Sequence, residues 1–110
     1  SKQRLLLVKE YLDAHPEEDV SLLTLATMAG LSQFHFIRQF KKMFHIAPHG
    51  YQIQVRLKKA KALLILGVKP VQVAADCGFH DQSHLNRHFK KAMGTSPSKF
   101  QKQAVLYKML

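Results

Sequence analysis

The apolar residues of this chain recur at helical spacing in seven successive stretches. Behind Ser21, a residue suited to cap a helix, Leu22, Leu25, Ala26 and Ala29 fall on one side of a short helix that runs to Ala29. Gly30 ends it as the residue that permits positive φ. Ser32 caps the next predicted helix, Gln33 to about Phe44. Its inward stripe is Phe36, Phe40 and Met43 or Phe44, and its opposite face shows Gln33, Phe34, Ile37, Arg38 and Lys41. A short helix, a turn containing glycine and a second helix with a polar and basic outer face make a helix-turn-helix pattern.

The same logic returns downstream. Pro70 suits the first turn of a helix through Cys77, with Val73, Ala74 and Cys77 inward. Gly78 terminates it, Phe79 matches Leu31, and Asp81 caps a helix from Gln82 to Met93. Leu85, Phe89 and Ala92 or Met93 form its predicted buried stripe. Gln82, Ser83, Asn86, Arg87 and Lys90 form its outer face. Lys69 stands where a capping side chain is wanted, so that helix start is expected to fray. Small residues at Ala26, Ala29, Ala74 and Cys77 fit close helix crossings, where a larger side chain would cost ~1–3 kcal/mol.

Three more helices complete the pattern. Leu5–Ala14 leads, with Leu6, Leu7, Tyr11 and Leu12 expected to cover the first unit. A long central helix starts near Pro48 and runs to Gly67, with a basic face of Arg56, Lys58, Lys59 and Lys61. A last helix begins at Ser96 and Pro97, reaches about Val105 and points Phe100 inward. The apolar end Ala104–Leu110 either pads the core or marks a contact surface.

The two helix-turn-helix patterns are an internal repeat. The offset is 48 residues at Gly30/Gly78 and 49 from Gln33/Gln82 onward, so the second turn carries one extra residue. Matched pairs include His35/His84, Arg38/Arg87, Phe40/Phe89, Lys41/Lys90, Lys42/Lys91, Pro48/Pro97 and Tyr51/Phe100. Two copies are too few for a solenoid and suit a pseudo-symmetric pair of modules.

Composition narrows the partner. In 110 residues there are 17 lysines and arginines against 7 acids, a formal charge of +10. Five of the acids lie within the first nineteen residues, and none lies between Val20 and Ala75. Such an excess points to a polyanion. No apolar run approaches the length of a membrane span, and Ser1–Val8 is too short for a signal peptide. The single cysteine, Cys77, excludes an internal disulfide and fits a reducing compartment. Its helix-crossing position reads as a structural thiol rather than a nucleophile. No phosphate-binding glycine loop, carboxylate pair or zinc-finger spacing is present, so neither an enzyme nor a cofactor is expected. His80, His84 and His88 follow an i, i+4, i+8 spacing, but His80 precedes the helix and the first unit repeats only His35. No metal is expected there. His35 and His84 are instead placed at the core edge or on backbone phosphate, where lower pH adds charge and tightens non-specific binding.

These residues resemble the DNA-binding domain of the AraC/XylS family of bacterial transcription regulators. The similarity runs from Leu5 to about Gln103. It is most specific from Ala74 through the Gly78-Phe79 turn to Lys91, and in Gly94-Thr-Ser-Pro-Ser-Lys-Phe100. The resemblance implies an all-α fold of seven helices. Two homeodomain-like three-helix subdomains, residues 1–48 and 68–110, would be joined by a central linker helix, 49–67. It also implies sequence-specific binding of double-stranded operator or promoter DNA in the cytoplasm, at the bacterial nucleoid. Both second helices would enter successive major grooves of an asymmetric site. Carried over by position, the base-facing candidates are Gln33, Phe34, Ile37 and Arg38, then Gln82, Ser83, Asn86 and Arg87. Phosphate contacts fall to Lys41, Lys42, Lys90 and Lys91, with His35 and His84. Phe34 and Ile37 depart from the usual polar readers, so the first helix is expected to sense thymine methyls or only DNA shape. Family members often carry an effector-binding or dimerisation domain, so this chain is expected to be a fragment or a minimal member. A contact with RNA polymerase is compatible with this reading. Two other readings stay open. One is a non-specific architectural DNA-binding protein. The other is a protein-interaction module using Phe34, Ile37 and Val105–Leu110.

Overall fold

The computed structural model describes residues 1–110 and contains seven α-helices and no strand. They are α1 (Lys2–Ala14), α2 (Leu22–Ala29), α3 (Gln33–Phe44), α4 (Pro48–Ile65), α5 (Pro70–Cys77), α6 (Gln82–Met93) and α7 (Pro97–Met109). The predicted bounds of α2, α3, α5 and α6 hold, because each has a strong stop or start signal beside it. Ser21, Ser32, Asp81 and Ser96 all accept a hydrogen bond from a backbone N–H three residues on. α1 begins earlier than expected because Ser1 caps it in the same way. α5 starts cleanly at Pro70 although Lys69 supplies no side-chain cap. The Lys69 carbonyl accepts from the N–H groups of Gln72 and Val73 instead.

The chain divides into two compact units, Ser1–Val55 and Arg56–Leu110, each taking part of α4. In the first, Leu5, Val8, Leu12, Leu25, Ala26, Ala29, Phe36 and Phe40 form the core. Tyr11, Met43, Phe44 and Tyr51 pack around it half-buried. Leu6 and Leu7 do not cover this unit as expected. They are exposed, and Leu5 and Val8 point inward in their place. A continuous Leu5–Val8 apolar run carries no phase of its own, so packing against α2 and α3 decides it. The clustered acids tie the unit together. The Tyr51 hydroxyl donates to Asp13, Lys9 pairs with Asp13 at 3.1 Å, and Gln52 Nε2 donates to the Glu18 carbonyl at 3.2 Å. Burial, followed by the Asp13 bond, raises the Tyr51 hydroxyl above its ordinary pKa.

In the second unit Ala60, Leu64, Val73, Ala74, Cys77, Phe79, Leu85 and Phe89 are buried. Three expectations fail here. Ala92 and Met93 are exposed, and the α6 stripe ends at Phe89, whose ring meets Phe100 of α7 at 5.3 Å. Arg56 leaves the predicted basic face of α4, being only 5% exposed. Lys59 is half-buried and donates to the Asp76 carbonyl at 2.9 Å, beside the C-terminus of α5 where a cation is favoured. Lys58 and Lys61 remain exposed. α7 extends to Met109 and does not pad the core. Val105, Leu106, Tyr107, Met109 and Leu110 are exposed, while the Lys108 ammonium donates to the Ile65 carbonyl.

Candidate nucleic-acid interface

Both units build the same support for their second helix. After α2, Gly30 adopts φ 70° and Leu31 N–H donates to the Ala26 carbonyl at 3.0 Å. After α5, Gly78 adopts φ 85° and Phe79 N–H donates to the Ala74 carbonyl at 3.0 Å. The left-handed residue satisfies the last carbonyls of one helix and turns the chain into the next. α3 and α6 are each twelve residues long. Each is anchored by two fully buried side chains, Phe36 and Phe40 in one, Leu85 and Phe89 in the other. With that stripe fixed, the opposite face must point to solvent.

On α3 the outward residues are Gln33, Phe34, His35, Arg38, Lys41 and Lys42, all exposed, with Ile37 half-buried. Phe34 is 66% exposed, an uncommon setting for a phenylalanine. Its ring carries the Arg38 guanidinium, whose carbon lies 5.6 Å from the ring centroid. A cation–π contact at so exposed a site is worth ~0.5–1 kcal/mol. It favours the arginine conformer that lies over the ring one turn back along the helix.

On α6 the outward residues are Ser83, Arg87, Lys90 and Lys91, all exposed, with Gln82 and Asn86 half-buried. The Asn86 Oδ1 is buried without a hydrogen-bond partner. A buried acceptor left bare costs ~1–3 kcal/mol. Asp81 accepts the His84 N–H at 2.7 Å, against 3.3 Å for the matching Ser32–His35 bond. An ionised cap also meets the positive end of the helix dipole.

His84 takes the core-edge place, one of its two expected settings. Its Nδ1 accepts the backbone N–H of His80 at 3.1 Å. Its ring stands edge-on to Phe79 at 5.4 Å and to His88 at 4.8 Å. An accepting Nδ1 requires the neutral imidazole with its proton on Nε2. Burial pushes its pKa below the ordinary histidine value. Arg87, Arg56 and His80 act in the same direction, and Asp81 opposes them. The gain of charge expected of His84 on acidification is thereby displaced to lower pH. His80, Asp81, Ser83, His84 and Arg87 line a shallow hollow of about 330 Å³ at the start of α6. The sequence reading named each of these residues separately, and the structure brings them together around one hollow.

The comparisons with known proteins agree on one class. The model of a helix-turn-helix domain family matches residues 25–103. The chain is 40% identical over 79 residues to the uncharacterised HTH-type transcriptional regulator YbfI of Bacillus subtilis, covering 72% of this chain and 29% of that protein. It is 36% identical over 98 residues to the probable transcriptional regulator LumQ of Photobacterium leiognathi, covering 88% of this chain and 40% of that protein. The chain thus spans well under half the length of these two relatives. Its structure is similar to the crystallised DNA-binding domain of AdpA, a global transcriptional factor in complex with a target DNA. The TM-score is 0.86 at 30% identity, over 90% of each chain.

Proposed function

The chain belongs to the AraC/XylS family of helix-turn-helix DNA-binding domains, and from that premise we propose that it reads a two-part site in duplex DNA to regulate transcription. One observation carries the reading. Two copies of one scaffold carry the same glutamine and arginine on the outer face, Gln33 with Arg38 and Gln82 with Arg87, beside residues that differ between the two, Phe34 and Ile37 against Ser83 and Asn86. A helix of ~10–12 Å diameter fits a major groove of ~12 Å. Arginine donates two hydrogen bonds to guanine O6 and N7, and glutamine or asparagine pairs with adenine N6 and N7. Each pairing discriminates by ~1–3 kcal/mol. Arg38 and Arg87 are assigned to guanine, and Gln33 and Gln82 to neighbouring base edges. Asn86 gains the partner its Oδ1 lacks when its amide turns to a base. Lys41, Lys42, Lys90 and Lys91 serve the phosphates, fixing position and adding salt dependence. A contact with RNA polymerase and residence at the nucleoid accompany this reading. The chemistry is binding, with no reaction assigned.

Selection from a random duplex library at about 0.15 M salt tests it. Wild type is expected to enrich a motif in two blocks, and Arg87→Ala to degrade one of them by roughly tenfold or more. Retention of every duplex with equal affinity would overturn sequence-specific reading.

A further inference from the structure

Among the base-facing candidates, the two outer faces are identical at two matched positions and different at two others. Gln33 matches Gln82 and Arg38 matches Arg87, but Phe34 stands opposite Ser83 and Ile37 opposite Asn86. Both differences put an apolar side chain on α3 where α6 has a polar one. Phe34 is not there to pack. It is 66% exposed, while the α3 anchors Phe36 and Phe40 are fully buried. The Arg38 guanidinium carbon lies over the Phe34 ring, and the His35 ring stands nearly perpendicular to it with 5.9 Å between ring centroids. Arg38 is exposed beside that ring, and its guanidinium carries donors along its edge. The donor edge suits guanine. Beside it, the phenylalanine edge presents an apolar surface to the floor of the groove. In that groove the C5 methyl of thymine is the apolar group a base pair offers.

We propose that the first unit reads a thymine methyl beside a guanine through the Phe34–Arg38 pair, and that the second unit has no such methyl sensitivity. This rests on the DNA-reading function above and names what one of its two helices recognises. The guanidinium takes guanine O6 and N7, the Phe34 ring covers the adjacent methyl, and half-buried Ile37 closes the same apolar strip. Ser83 and Asn86 give α6 hydrogen-bonding groups at the corresponding places, so its half-site is read by polar contacts alone.

The test is a uracil scan of the selected duplex. Each thymine is replaced in turn by deoxyuridine, which keeps the pairing and removes the methyl. Affinity is then measured at constant salt. In the block degraded by Arg38→Ala, at least one replacement is expected to weaken wild type about fourfold, the value of one buried methyl. Phe34→Ser is expected to abolish that sensitivity, and Phe34→Leu to keep part of it. In the block degraded by Arg87→Ala, every replacement should change affinity less than twofold. Two blocks in which uracil is tolerated throughout would overturn the methyl reading and leave DNA recognition standing. So would a Phe34→Ser variant that keeps the full fourfold effect. A library that yields no enriched duplex would overturn both.

Discussion

α3 and α6 are the same helix used twice, and their exchanges between apolar and polar residues lie on the outward face, where packing constrains them least. Inward, the two agree: Phe36 and Phe40 against Leu85 and Phe89, all fully buried. At the start both have an oxygen cap, Ser32 or Asp81. At the end they diverge. Gly94 closes α6 with φ 78°, whereas His45 closes α3 with φ 63°, the one non-glycine residue in the left-handed region. Outward, Phe34 and Ile37 replace Ser83 and Asn86. The lesson is that a duplicated scaffold keeps an apolar buried stripe and a glycine at its turn, and varies in polarity on its outward face.

The sharpest way to break this comparison is through the cores. Phe40→Ala and Phe89→Ala should each cost ~3–5 kcal/mol, since both rings are fully buried. Hydrogen exchange should show protection falling first in the unit that carries the change. Equal loss in both units would contradict two separate cores.

A middle-sized effect lies at the helix ends. His45→Gly should stabilise the first unit by ~1 kcal/mol, because glycine adopts the left-handed conformation without a Cβ clash. Gly94→Ala should cost the second unit about as much. A Cβ there meets nothing within 4 Å, so backbone strain is the whole penalty. Urea midpoints of the two variants check the opposite signs.

The smallest effect is electrostatic. His84 has a depressed pKa in the fold, so the unfolded chain takes up its proton first as pH falls. The stability present above the ordinary histidine value of 6.5 is therefore lost as pH drops through it, and levels off below the folded value. Protonation of Nδ1 also removes the acceptor for His80 N–H. Urea midpoints at about pH 7.5 and 5.5 should converge slightly in His84→Gln relative to wild type.

Much of this was legible in the sequence, for local reasons. Ser21 and Gly30 bracket α2 at both ends, Ser32 and Asp81 set the starts of α3 and α6, and Gly78 sets the end of α5, so capping chemistry fixes at least one bound of each. The phase of α1 was not legible, because Leu5 to Val8 are apolar without interruption and only α2 and α3 choose among them. Arg56 was misplaced because a charge on a lysine-rich helix reads as surface, and only tertiary packing buries it. On the candidate interface, the outward position of Arg38, Arg87 and Ser83 follows directly from the buried stripe. The half-burial of Gln82 and Asn86 does not, since helical spacing sets a direction and says nothing of neighbours. The Phe34–Arg38 stack was hidden in an i, i+4 spacing that many helices share without contact.

The central claim is that the outer residues of one scaffold used twice specify two different half-sites. Site selection with the double substitution Phe34→Ser and Ile37→Asn tests it most directly, since this gives α3 the outer residues of α6 at both differing positions. The account predicts that the first block changes to the sequence of the second, which itself stays the same. An unchanged first block from a folded variant would contradict it.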